Sequence, residues 1–188
     1  MRILRTAVLI VVSLFVALPQ ATAVAQPASP LYPLVDAAAQ RLETADPIAA
    51  AKWITGGPLT DKPRAEQVLD SVAAAADAHG IDRDYVRDIF RNQIDATEGI
   101  EYTRFGQWKF DPASAPVTAP DLSQSRAEID RLNTKMVDEI AAQWNSLHSP
   151  ECTAAVASAT QAVGDARRFD PLYRQALASA TRSYCPRG

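Results

Sequence analysis

Apolar residues recur along this chain at three- and four-residue intervals, and no stretch alternates convincingly with period two. That spacing is the mark of amphipathic helices rather than half-buried strands. In LVDAAAQRLETADPIAAAKW, Leu34, Ala38, Ala45 and Ile48 form one apolar stripe, which predicts a first helix from about Leu34 to Ile54. Pro47 follows Asp46, so it either kinks this helix or restarts it with Asp46 as cap. TGGPLTDKP reads as a loop. A second helix is expected from about Asp61 to His79, with Pro63 tolerated in its first turn and Gly80 as its stop. A third and longer one opens at Asp82 or Arg83 and runs to about Trp108, marked by Val86, Ile89, Phe90, Ile94, Ile100, Phe105 and Trp108. After the Pro-rich loop DPASAPVTAPD, Ser123 is the expected N-cap of a fourth helix reaching about Leu147. Two shorter helices follow, near Glu151–Val163 and Pro171–Tyr184. The pattern predicts an all-α, single-domain bundle of about six helices.

Two positions break the apolar logic of the first stripe. Arg41 and Lys52 fall within it, eleven residues apart. At 3.6 residues per turn, eleven residues make about three whole turns, so both charges face nearly the same way. A buried cation is costly without an anionic or hydrogen-bonding partner. Two cations aimed into a helical core point to a pocket for an anion.

The first 25 residues stand apart from this bundle. Arg2 and Arg5 precede an apolar run from Ala7 to Leu18, and A-x-A patterns follow at Ala21–Ala23 and Ala23–Ala25. This is the layout of a secretory signal peptide, with cleavage expected after Ala23 or Ala25. The run is too short for a comfortable membrane span, and no second one appears, so the mature chain is expected to be secreted or periplasmic and free of membrane. Residues 26–33 form a Pro-marked lead-in, and 34–188 form the domain. Without Arg2 and Arg5 the basic count drops from 19 to 17 against 22 acids, a formal charge of −5. An acidic chain of this kind argues against nucleic acid as a partner. Cys152 and Cys185 are the only two cysteines, and in an exported chain such a pair reads as a disulfide stapling the last two helices.

Further polar residues are placed to face inward. Gln93, Thr97 and Glu101 recur every four residues beside the apolar face of the third helix. Glu101 is therefore a candidate buried acid, either protonated through burial or paired with a cation on a neighbouring helix. Asp61 and Arg64 share the first turn of the second helix. Arg126 sits in the first turn of the fourth, where the helix dipole disfavours a cation. Taken singly, a capping Asp61 and solvated arginines explain these positions. Other chemistries find little support. His79 and His148 have no partner at metal-ligand spacing and are expected at the surface near helix ends. There is no G-x-S-x-G, no glycine-rich phosphate loop and no catalytic cysteine. Trp53, Trp108 and Trp144 are expected in the core.

The ordered set resembles the all-helical chorismate mutases: Arg41 and Lys52 eleven apart, D-x-x-R at Asp61–Arg64, then T-x-x-x-E at Thr97–Glu101. The segment ATEGIEYTRFGQWKF, the leader and the C-terminal cysteine pair are similar to the family's secreted subclass. This resemblance spans about Leu34 to Cys185. It implies the Claisen rearrangement of chorismate to prephenate, a step of aromatic amino acid biosynthesis on the shikimate pathway, with no cofactor and no metal. It also implies roles. Arg41, Arg64 and Arg126 would bind substrate, with Arg126 supplied in cis where shorter relatives borrow an arginine from a partner subunit. Lys52 would contact the ether oxygen and a carboxylate. Asp61 would hold a substrate hydroxyl or orient Arg64. Thr97 supplies a small hydroxyl and Glu98 a backbone or hydroxyl contact. Glu101, where many cytosolic relatives have Gln, would donate to the ether oxygen when protonated. Lys52, Glu101 and Arg41 are thus the expected catalytic residues. A homodimer with the active site inside each chain is expected by the same similarity. Val68 departs from the pattern, since some secreted relatives carry Gln there, and Gln67 is expected to point elsewhere. The alternative from the residues alone is an exported helical module that binds an anionic ligand or partner without catalysis.

Overall fold

The computed structural model describes residues 29–186. The expected signal peptide, and residues 26–28 of the lead-in, lie outside the described residues. Eight α-helices follow in order: α1 (Tyr32–Glu43), α2 (Ala45–Thr55), α3 (Lys62–His79), α4 (Arg83–Phe110), α5 (Leu122–Ala142), α6 (Trp144–Leu147), α7 (Cys152–Ala166) and α8 (Pro171–Ala180). The described residues contain no strand. The six-segment pattern is therefore present, with its first and fourth segments each divided in two.

The first division falls at Thr44, not at Asp46. Proline cannot donate to the carbonyl four residues back, and its ring crowds that carbonyl. For Pro47 that residue is Glu43, so the helix ends there, one turn before the proline. Thr44 turns its hydroxyl onto the Arg41 carbonyl at 2.7 Å. Asp46 is consequently not a cap. It lies in the first turn of α2 and receives Arg104 from α4, Nε to Oδ1 at 2.7 Å. A second correction concerns α5, whose N-cap is Asp121 and not Ser123. The Asp121 carboxylate accepts from both the Ser123 amide and its hydroxyl.

Other boundaries follow local chemistry as expected. Asp61 caps α3 by accepting the Arg64 amide at 3.2 Å, and Asp82 caps α4 by accepting the Tyr85 amide at 2.8 Å. Gly80 closes α3 at φ 68°, a left-handed conformation that costs glycine little. Cys152 opens α7 and is bonded to Cys185, just beyond α8.

The 28-residue α4 is the axle of the bundle. It packs against α3, α8 and α2, and also against α1. Helix α5 lies across α1 and α3. Leu34, Leu42, Ile89, Phe90, Ile100, Met136, Ile140 and Leu177 are fully buried where these faces meet. Each such side chain contributes roughly 1.5–3 kcal/mol of burial free energy.

All three tryptophans are only partly buried; Trp144 packs against the core as expected, while Trp53 and Trp108 correct that expectation. Trp53 meets Phe105 and Trp108 edge-on at the outer end of α2 and α4, with ring centroids 5.1 and 5.5 Å away. Trp144 packs on Tyr85 and His148. Both histidines are exposed as expected, His79 against Asp138 at 2.9 Å and His148 against the Trp144 carbonyl.

Candidate active site

A cavity opens between α1, α2, α3, α4 and α5, with about 640 Å³ of empty space that includes part of its mouth. Arg41, Lys52, Asp61, Arg64, Thr97, Glu98, Glu101 and Arg126 all line it. The remaining wall is apolar: Ile48, Ala65, Val68, Ile94, Leu122 and Ile129. Val68 thus faces the cavity, while Gln67 points away from it and accepts from Arg64 at 2.9 Å.

The deepest cation is Arg41, with 3% of its surface exposed. Burial, and the nearby Arg64 charge, lower its pKa to about 10, so it stays charged at neutral pH. Its Nε donates to Asn133 Oδ1 at 2.8 Å and its Nη1 to Thr97 Oγ1 at 3.3 Å. Thr97 in turn donates to the Gln93 carbonyl one turn back. Lys52 reaches in from α2. Its Nζ donates to the Leu59 carbonyl at 2.7 Å and to Glu101 Oε2 at 2.6 Å.

Glu101 is 2% exposed. Burial raises its pKa above the ordinary carboxyl value, and Lys52 opposes this without cancelling it. The two possibilities open at the level of sequence are therefore combined: the acid is buried, and it meets a cation. A proton held near this pair converts Glu101 from acceptor to donor.

The outer residues are more exposed. Arg126 and Asp61 approach to 3.6 Å at the rim. Asp61 touches Arg64 through the backbone amide only, while the Arg64 guanidinium meets Asp130 at 2.5 Å and Gln67. Glu98 is half-buried and accepts from Thr60 Oγ1 at 3.0 Å. Gln93, the third member of the inward stripe, lies outside the cavity and donates to the Ala38 carbonyl, tying α4 to α1.

Sequence reasoning missed Asn133, which is 6% exposed and holds Arg41. The signal was present: an amide four residues after Ile129, on the same stripe of α5 as Met136, Val137 and Ile140. It also missed the apolar half of the cavity, since Ile48 and Ile129 look like any other core residue in a sequence.

Chemically, the cavity offers four cations and several hydrogen-bond donors against an apolar wall. Its lining contains no serine, cysteine or histidine, hence none of the usual nucleophile–base pairs. It is built to hold a compact anion with hydrocarbon character and to stabilise negative charge within it.

The comparisons with known proteins agree with this inventory. The family model described as chorismate mutase type II matches residues 33–102. The secreted chorismate mutase of Mycolicibacterium smegmatis is 60% identical over 167 residues, covering 89% of this chain and 91% of that protein. The secreted chorismate mutase of Mycobacterium tuberculosis is 47% identical over 176 residues, covering 94% and 88%. In three dimensions, the crystal structure of chorismate mutase from Burkholderia phymatum superposes with a TM-score of 0.80 at 30% identity, over 85% of this chain and 98% of that one. With near full-length identity to such relatives and the same helical architecture, the chain belongs to the chorismate mutase family, in its secreted branch.

Proposed function

We propose that this chain rearranges chorismate to prephenate within the cavity bounded by Arg41, Lys52 and Glu101. Chorismate carries two carboxylates and an enol-ether bridge. In the rearrangement the ether C–O bond breaks as a new C–C bond forms, and no group enters or leaves. The task is to hold a compact conformer and stabilise the charge growing on the ether oxygen. Arg41 grips one carboxylate from below, and Arg64 and Arg126 address the other from the rim. Lys52 and protonated Glu101 donate to the ether oxygen where charge develops. Thr97 and Glu98 orient the ring substituents, and Asp61 restrains Arg126 while capping α3. The observation that carries this reading is the pairing of half-buried Lys52 with buried Glu101, 2.6 Å apart, in one cavity with a buried Arg41.

Two further features belong to the reading. The leader is removed after Ala23 or Ala25, leaving the lead-in and the helical domain; N-terminal sequencing of the exported protein tests this. The mature protein pairs as a homodimer, each chain keeping its own cavity. Light scattering tests it, and a single-chain mass refutes it.

The activity test follows loss of the chorismate diene absorbance, with prephenate identified by acid conversion to phenylpyruvate. Turnover by the mature protein supports the reading. Absence of turnover in a folded, disulfide-bonded sample that still binds anions overturns it in favour of a binding module.

A further inference from the structure

Three of the four cavity cations meet a carboxylate, and one does not. Lys52 pairs with Glu101 at 2.6 Å, Arg64 with Asp130 at 2.5 Å and Arg126 with Asp61 at 3.6 Å. Arg41 is the most buried of them, yet among the described residues it makes no ion pair. Both of its side-chain partners are neutral: the amide oxygen of Asn133 and the hydroxyl of Thr97. For stability alone, a carboxylate would be the stronger partner for a guanidinium in such a place.

We propose that Asn133 is a positioning residue that aims the Arg41 guanidinium while keeping every carboxylate out of direct contact with it, so that it is left to pair with a substrate carboxylate. The inference rests on the function proposed above. Asn133 is on α5 and approaches Arg41 from outside the cavity. It does not line the cavity itself, but faces an adjoining groove between α3 and α5, with Arg64, Gln67, Val68 and Asp130. By taking Nε, it fixes the guanidinium plane; Thr97 takes one N–H of Nη1, and Nη2 with the second N–H of Nη1 makes the fork that grips a carboxylate in bidentate fashion. Asp130, on the same helix, is engaged by Arg64. Asp130 is thus held by Arg64 in the groove, near Arg41 but not bonded to it, and the amide of Asn133 makes the direct contact with the buried arginine.

The test is Asn133→Asp, which keeps shape and acceptor but adds a charge that Arg41 would neutralise. A merely structural Asn133 tolerates this change, because a buried arginine gains a better partner. A positioning Asn133 does not. The expected result is an unchanged or raised melting temperature with kcat/KM for chorismate lowered by about a hundredfold, largely through KM. Asn133→Ser, a shorter neutral acceptor, is expected to melt lower than Asn133→Asp yet turn over faster. Asn133→Asp within about threefold of the unaltered protein, or turning over faster than Asn133→Ser, overturns the proposal. Should Asn133→Asp not fold, Asn133→Ser is set against Asn133→Ala, and equal turnover by these two overturns it. If the unaltered protein itself fails to convert chorismate, the functional reading has failed instead, so the two failures are distinct.

Discussion

Replacing Glu101 by Gln isolates the role of a single proton in the cavity. In the folded chain the carboxyl is buried, which raises its pKa above the ordinary value of 4.5. Only the protonated acid can donate to the ether oxygen. Turnover that needs the donor therefore falls as pH rises through the folded pKa, approaching about tenfold per pH unit beyond it. Gln presents an N–H donor at every pH, so its profile stays flat across that window. The stability effect has the same sign. A group whose folded pKa is raised contributes stability that is full below the unfolded pKa and lost as pH rises through the folded one. The Gln variant lacks that decline. Its own cost is small, because the new amide oxygen still accepts from Lys52 and the Leu59 carbonyl bond remains. Loss of charge assistance alone is worth roughly 1–2 kcal/mol. Glu101→Ala would leave the Lys52 ammonium only the Leu59 carbonyl and would confuse folding with function. The assay is initial rates of chorismate loss over roughly pH 4–9, analysed as kcat/KM to report the free enzyme, with melting curves on the same samples. A Gln variant whose rate still falls with the same midpoint as the unaltered protein would refute the assignment of the donor to Glu101.

Two other substitutions probe different layers of the molecule. Arg41→Ala is expected to lower turnover by about a thousandfold or more. Circular dichroism should stay helical, since stranding the Asn133 oxygen costs only roughly 1–3 kcal/mol; turnover within about threefold would remove Arg41 from the site. Replacing Cys152 and Cys185 by Ser opens a loop with a sequence separation of 33 and should cost roughly 3–4 kcal/mol, read as a lower urea midpoint. An unchanged midpoint would show that the bridge does not constrain the unfolded chain.

Much of the molecule is legible without coordinates because its signals are local. Helical periodicity, Gly80 as a stop, Asp61 as a cap and the cysteine pair each depend on a few neighbouring residues or on simple counting. The misplacement of Arg41 and Lys52 in an apolar stripe was equally visible, since three turns of helix place them on one side whatever surrounds them. What a stripe cannot reveal is its partner. Lys52 and Glu101 are 49 residues apart, and Arg41 and Asn133 are 92 apart. Only the packing of α2 on α4 and of α1 on α5 brings them into contact.

The corrections share this origin. Asp46 looks like a cap, but Arg104 arrives from α4 to claim its carboxylate, and the proline's missing bond moves the break back to Thr44. Ser123 is a sound N-cap candidate, but Asp121 starts the helix first and takes the serine hydroxyl as well as its amide. Trp53 and Trp108 have the bulk of core residues, yet lie where helix ends meet solvent. By itself, then, the sequence determined the helical class, the leader pattern and the set of inward-facing charges, because periodicity and charge placement are properties of one helix at a time. The tertiary structure alone decided which cations are paired, that Arg41 has only neutral partners, and that the chosen residues enclose one cavity. Those depend on distances between helices, which follow from packing the whole core.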